Sequence, residues 1–116
     1  MLIVDDHAAF RSAARALLQA VGYEVVGEAV DGHSALAATR ALHPRVVLLD
    51  VQLPDVDGCE VSRWLTAEEA PPTVVLISTR SAADYGPRLH GCGARGFIDK
   101  ASLTGATLDA LLRDRD

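Results

Sequence analysis

VVLLDVQLPDVDG, residues 46–58, decides how the chain is read. Four apolar residues, Val46 to Leu49, run into a bare carboxylate, Asp50. A turn follows, with Pro54 and then Asp57-Gly58. An unalternating apolar run suits a strand covered on both faces, which is the habit of parallel sheets. A charge inside such a strand would be costly to bury. At the strand's tip the same charge opens onto a crevice and solvent.

Working outward, apolar strands alternate with helical patterns. MLIVD is a short strand, and HAAFRSAARALLQAVG a helix with Phe10, Ala14, Leu17 and Val21 on one face and Gly22 as its stop. YEVVGEAV is strand-like. DGHSALAATRALH is helical, with Asp31 as a candidate N-cap and Pro44 beyond its end. RVVLLD is the third strand, GCEVSRWLTAEE the third helix and TVVLIS the fourth strand. In SAADYGPRLHGCG, residues 81–93, Gly86-Pro87 allows either a kinked helix or one that starts with Pro87 in its first turn. RGFID is the fifth strand, and SLTGATLDALLRDRD a last helix interrupted early by Gly105. Five strands alternating with five helices predict an α/β fold, doubly wound around a parallel sheet with right-handed crossovers. The chain has 116 residues, enough for one domain, 1–116, with no internal repeat or linker.

Composition narrows the function. No apolar run approaches the length of a membrane span, and MLIVDD carries no basic leader. The net charge of −5 argues against this domain gripping a nucleic-acid backbone by itself. Two cysteines, Cys59 and Cys92, are too few for a disulfide framework and read as small packing residues in a reducing cytosol. Ten arginines accompany a single lysine, Lys100. Chance could produce one lysine, but a compact mobile ammonium is not interchangeable with a guanidinium fork, so Lys100 is a candidate for a specific role.

Ligands of doubly wound folds bind outside the carboxyl ends of the strands. Those ends carry Asp5-Asp6, Asp50, Ser78-Thr79 and Asp99-Lys100. On its own, Asp5-Asp6 reads equally well as a solvated helix start. With Asp50 beside it, three carboxylates repel unless a cation joins them. A hard divalent ion such as Mg²⁺ takes oxygen ligands and often shares a site with phosphate. A carboxylate can attack phosphorus to give an acyl phosphate, while an ammonium and a hydroxyl position its oxygens.

The segments VDD (4–6), LLDVQLPDVDG (48–58), VVLIS (74–78) and GFIDK (96–100) resemble the receiver domain of bacterial two-component response regulators over essentially the whole chain. VDDHAAFR, VVGEAVDG and Ala101 after Lys100 resemble the NarL/LuxR type. The resemblance implies a flavodoxin-like sheet of order 2-1-3-4-5. It implies Asp50 as phosphoacceptor, Asp6 as direct Mg²⁺ ligand beside the acidic Asp5, and the Val51 carbonyl as a further ligand. It also implies Ser78 as switch hydroxyl, Lys100 as phosphate-binding lysine and Phe97 as the aromatic that turns inward. Implied partners are a histidine kinase, a second copy on phosphorylation, and DNA only through a helix-turn-helix domain outside this chain; the piece reads as an excised receiver in the cytoplasm. Gln52, Thr79 and Arg80 depart from the pattern or occupy positions that tune phosphate lifetime, and Thr79 is bulkier than the usual residue there.

Other residues have plainer readings. His7 reads as a solvent-facing helix start, and His33, His43 and His90 lack metal-ligand spacing. Trp64 reads as core-edge packing, Asp55 and Asp57 as carboxylates shaping the turn after Asp50, Gly58 as the opening of the next helix, and Asp99 as solvated. The resulting expectation is a phosphorylation-controlled switch without substrate turnover. Its rival is a degenerate receiver that binds partners without phosphate. A haloacid-dehalogenase-like hydrolase would need an acid two residues after Asp50, where Gln52 stands, and an FMN carrier would need a phosphate loop where Asp5 and Asp6 stand.

Overall fold

The computed structural model describes residues 1–80, 85, 89 and 91–113. In chain order the elements are β1 (Leu2–Val4), α1 (Ala8–Ala20), β2 (Gly27–Ala29), α2 (Gly32–Leu42), β3 (Val46–Asp50), α3 (Gly58–Thr66), β4 (Thr73–Ser78), β5 (Gly96–Asp99), a 3-10 turn over Lys100–Ser102, and α4 (Gly105–Arg113). The sheet is five-stranded, wholly parallel and ordered β2-β1-β3-β4-β5. Four α-helices flank it among the described residues. The expected helix over 81–93 lies mostly outside them. Its last three residues form a turn instead, with Gly91 and Gly93 both at φ 79°.

Alternation along the strands splits the core in two. Leu2, Val4, Val47, Leu49 and Leu76 pack with Ala35 of α2 and Val61 and Leu65 of α3. Ile3, Leu48, Ile77 and Ile98 pack on the opposite face with Ala14 and Leu18 of α1 and Leu108 of α4. Both faces are covered, which is why the strands show no polar alternation. The register pairs Val4 with Leu49, so the next residues, Asp5 and Asp50, leave the sheet at one level. Asp5, Asp50 and Lys100 each stand two residues beyond a member of the second cluster, so the period of two sends them to the α1 side.

Caps and close approaches fix the loops. Asp31 is the N-cap of α2 as expected: it accepts the Ser34 N–H at 2.8 Å, and Ser34 answers through its hydroxyl to complete a capping box. Asp57 caps α3 by accepting the Cys59 N–H at 2.8 Å. Asp55 reaches further than a turn-shaping residue. Its carboxylate accepts the N–H groups of Gly32 and His33 at 2.8 and 3.0 Å and lies 2.7 Å from the His33 ring, fastening the loop after Asp50 to the start of α2. Gly58 is required where it stands, because a Cβ there would strike the Asp50 carbonyl oxygen and the Val51 backbone. Trp64 lies at the core edge, with its ring 5.5 Å from that of His33.

Three expectations need correction. Cys59 and Cys92 are not merely packed thiols: they form a disulfide, with Cα atoms 5.1 Å apart and a sequence separation of 33. Sheet packing brings the start of α3 against the turn before β5, a proximity that sequence spacing hides. Val21, read as part of the buried face of α1, is 53% exposed, and Leu18 takes the buried place. Gly105 does not interrupt the last helix but begins it, after a reciprocal pair of hydrogen bonds between Thr104 and Thr107 at 2.9 and 3.0 Å. A Cβ at Gly105 would press on Val21 at the end of α1.

Two outcomes follow for stability. In a chain-entropy treatment, closing a loop of this length stabilises the fold by about 3–4 kcal/mol. Chain refolded with a thiol reductant will therefore unfold at a lower urea concentration than oxidised chain, and equal midpoints would exclude the bond. For Asp55, burial raises the carboxyl pKa, but the Gly32 and His33 N–H groups and the His33 ring outweigh it and hold the pKa below the ordinary range. A depressed carboxyl stabilises the fold above its unfolded pKa, and the contribution is lost as pH falls through the folded value. Asp55→Ala should cost about 1 kcal/mol at neutral pH, as capping residues do. The gap between variant and wild type in urea melts should shrink below about pH 4.

Candidate functional site

At the carboxyl end of the sheet, three strand tips converge. Asp50 closes β3 and is 3% exposed, and Asp5, just past β1, is fully buried. Lys100, just past β5, reaches over β4 to both. Its Nζ lies 2.5 Å from Asp5 Oδ2 and 3.2 Å from Asp50 Oδ2, with the Phe10 ring centroid 4.5 Å away. The chain's single lysine thus sits between two buried carboxylates from different strands.

Backbone donors hold those carboxylates in place. The Gln52 N–H donates to Asp50 Oδ1 at 3.0 Å, and the His7 N–H donates to Asp5 Oδ1 at 2.8 Å. Arg11 anchors the same loop by donating to the Asp5 carbonyl at 2.7 Å. Burial pushes the Asp5 carboxyl up, but Lys100 and the His7 N–H outweigh it and leave its pKa lowered. For Asp50, burial is the largest influence and, with the neighbouring charge of Asp5, leaves the pKa raised despite the Gln52 N–H and Lys100. Burial alone would pull Lys100 down, whereas its two carboxylate partners hold its pKa above the ordinary value.

Asp6 is the exposed member of the group, with 36% of its side chain accessible. His7 is mostly exposed, as expected, yet its Nδ1 turns back to lie 3.1 Å from both Asp5 Oδ1 and Asp6 Oδ1. One ligand atom each from Asp5, Asp6, His7 and Asp50 falls within a 4.8 Å span. Asp5, Asp6 and Asp50 against Lys100 leave two surplus negative charges, and the donors are mainly carboxylate oxygens. Both properties suit a hard divalent cation. A shallow pocket of about 530 Å³ adjoins the cluster, lined by His7, Phe10, Asp50, Gln52, Thr79 and Lys100 among others.

Not every residue singled out from sequence joins this pocket. The Val51 carbonyl, expected as a metal ligand, accepts the Gly58 N–H at 2.7 Å, and Val51 is 1% exposed. The return of the chain at Gly58 engages that oxygen. Gln52 and Thr79 are exposed and line the pocket, and Arg80 is exposed next in sequence to Thr79. Asp99 is half-buried and accepts the Ala101 N–H at 3.0 Å, so it shapes the turn that delivers Lys100. Ser78 is fully buried, and its Oγ lies 2.5 Å from the hydroxyl of Tyr85. Phe97 is half-buried beside that tyrosine, with ring centroids 6.1 Å apart. Tyr85 carried no sequence signal, since it falls in the segment made ambiguous by Gly86-Pro87. Among the described residues, no helix is long and apolar enough to cross a membrane.

Comparison with known proteins agrees with this geometry. The family described as "Response regulator receiver domain" matches residues 1–112. BvgA of Bordetella pertussis is 35% identical over 100 residues, which cover 86% of this chain and 48% of that protein. The DNA-binding transcriptional activator EvgA of Escherichia coli is 31% identical over 99 residues, covering 85% of this chain and 48% of that protein. This chain therefore spans about half the length of these relatives. Among solved structures, the signal receiver domain of NarL from Mycobacterium tuberculosis superposes with a TM-score of 0.82 at 35% identity, covering 98% of this chain and 95% of that one. The chemotaxis response regulator CheY4 of Vibrio cholerae gives 0.81 at 27% identity, covering 97% and 93%. The acidic pocket, the lysine that spans it and these likenesses together place the chain in the response regulator receiver family, among relatives of the NarL/LuxR type.

Proposed function

We propose that the chain is a phosphorylation-activated switch whose phosphoacceptor is Asp50. The observation that carries this reading is the Lys100 ammonium, held over two strands within 3.2 Å of the Asp50 carboxylate. A carboxylate oxygen of Asp50 attacks the phosphorus of a kinase phosphohistidine. The P–O bond to Asp50 forms as the P–N bond breaks, and the histidine nitrogen keeps the electron pair and takes a proton. The product is an acyl phosphate on Asp50 and a dephosphorylated kinase.

The chain's own groups prepare that step. The Gln52 N–H fixes the Asp50 carboxylate at the strand tip. Lys100 meets the incoming negative charge and shifts from its carboxylate partners toward the phosphoryl oxygens. Asp5, Asp6 and Asp50 would hold Mg²⁺, which when bound would neutralise charge on the carboxylates and on the phosphoryl group. Ser78 then moves to a phosphoryl oxygen, Phe97 turns inward, and the surface around β5 and α4 changes its partner preference. About 5.5 kcal/mol of differential interaction would take such a switch from about 1:99 to about 99:1.

The chemistry stays on the chain, so it is a regulator and not a turnover enzyme. Its partners in this reading are a cytoplasmic histidine kinase and a second copy of itself. DNA would be reached through a separate effector domain, as the half-length match to transcription regulators suggests. In this reading Gln52, Thr79 and Arg80 tune the lifetime of the phosphoryl group.

Acetyl phosphate with Mg²⁺ should add the mass of one phosphoryl group to the intact wild-type chain and none to Asp50→Asn. Equal labelling of the two would reject Asp50 as acceptor. By calorimetry, Mg²⁺ should bind saturably, and Asp5→Asn with Asp6→Asn should weaken it by about tenfold or more, which is about 1.4 kcal/mol. No saturable Mg²⁺ binding together with no labelling would favour a degenerate receiver that works by protein contact alone.

A further inference from the structure

Ser78 and Asp50 stand on neighbouring strands, yet their side chains leave the sheet on opposite sides. In β4, Val74 and Leu76 belong to the core cluster facing α2 and α3, and Val75 and Ile77 to the cluster facing α1 and α4. The period of two carries Ser78 to the first side, while Asp50 continues the second. Ser78 is fully buried there. Its Oγ accepts the Arg80 N–H at 3.1 Å and shares a hydrogen bond of 2.5 Å with the hydroxyl of Tyr85, which is itself 6% exposed. The Tyr85 ring stands 6.1 Å from that of Phe97 at 59°.

Two motions of the switch therefore meet at one side chain. Ser78 cannot turn toward a phosphoryl group on Asp50 while it keeps its bond to Tyr85. The ring of the same Tyr85 is the aromatic neighbour of Phe97. The bond is short and shielded from water, so its loss is not made good by solvent.

We propose that Tyr85 is a positioning residue for the switch hydroxyl. It holds Ser78 away from the phosphorylation pocket in the resting chain and so sets how readily an occupied Asp50 recruits Ser78 and Phe97. This deepens the phosphoacceptor reading above and rests on it. Tyr85 touches neither Asp50 nor the phosphoryl group. Its influence passes through one hydroxyl, which predicts that the influence disappears with that hydroxyl.

The test uses beryllofluoride with Mg²⁺ as the phosphoryl stand-in, titrated into wild type, Tyr85→Phe, Ser78→Ala and the double variant. Tyr85→Phe keeps the ring and removes the hydroxyl that restrains Ser78. It should bind about two- to tenfold tighter than wild type, the range of one net hydrogen bond. In the Ser78→Ala background the same substitution should change nothing, as a double-mutant cycle requires. An unchanged midpoint for Tyr85→Phe, or an equal shift in both backgrounds, overturns the proposal while leaving Asp50 as acceptor. A wild type that takes no beryllofluoride overturns the phosphoacceptor reading itself, and this inference with it. A second measurement needs no change at Tyr85. The chain has only two tyrosines, Tyr23 and Tyr85, so fluorotyrosine labelling gives two ¹⁹F resonances that Tyr23→Phe assigns. Beryllofluoride should move the Tyr85 resonance in the wild-type background and leave it in place in Ser78→Ala. A Tyr85 resonance that stays still in the wild-type background sinks the proposal.

Discussion

One ammonium between two buried carboxylates organises the carboxyl end of this sheet. Asp5 and Asp50 arrive at the same level because β1 and β3 are in parallel register, and neither carboxylate faces open water. Two like charges so placed are tolerable only with a cation between them. Lys100 provides it from the far side of β4, carried there by the turn that Asp99 stabilises. The pocket remains acidic even so, because Asp6 adds a third carboxylate. A pocket with surplus negative charge around one paired ammonium has the donor chemistry that suits a hard divalent cation.

The surroundings show which side of the pocket is braced. The loop after Asp50 is tied to α2 through Asp55 and closes onto α3 through Gly58, where no side chain fits. The start of α3 is bonded covalently to the turn before β5. Against this bracing, the Ser78 hydroxyl and the Phe97 ring are held by non-covalent contacts with one tyrosine. The contrast is physical: one flank is secured by caps and a cross-link, while the other rests on hydrogen bonds and ring packing.

Much of this was legible in the sequence, for identifiable reasons. The run from Val46 to Asp50 forces a buried strand to end on a charge, and the parallel fold follows from its neighbours. Asp5, Asp6, Asp50 and Lys100 are found by asking what stands at each strand tip. The cap at Asp31 was readable because capping is local, whereas Asp57, read as shaping the turn, also caps α3. The features that were missed are all non-local or depend on orientation. Spacing cannot bring Cys59 to Cys92 across 33 residues, or Asp55 to the amides of Gly32 and His33. The Val51 carbonyl was assigned by likeness, whereas the return at Gly58 settles what it meets. Tyr85 belongs to a stretch with no clean period, so its pairing with Ser78 had no pattern to announce it.

The cross-link between Cys59 and Cys92 also has a topological side. It turns residues 59–92 into a closed covalent ring that carries most of α3 and the whole of β4, including Ser78. A protease that severs one peptide bond inside that ring opens it without releasing a piece. The two products travel as a single mass until the sulfurs are parted, and β4 stays tethered to the rest of the chain.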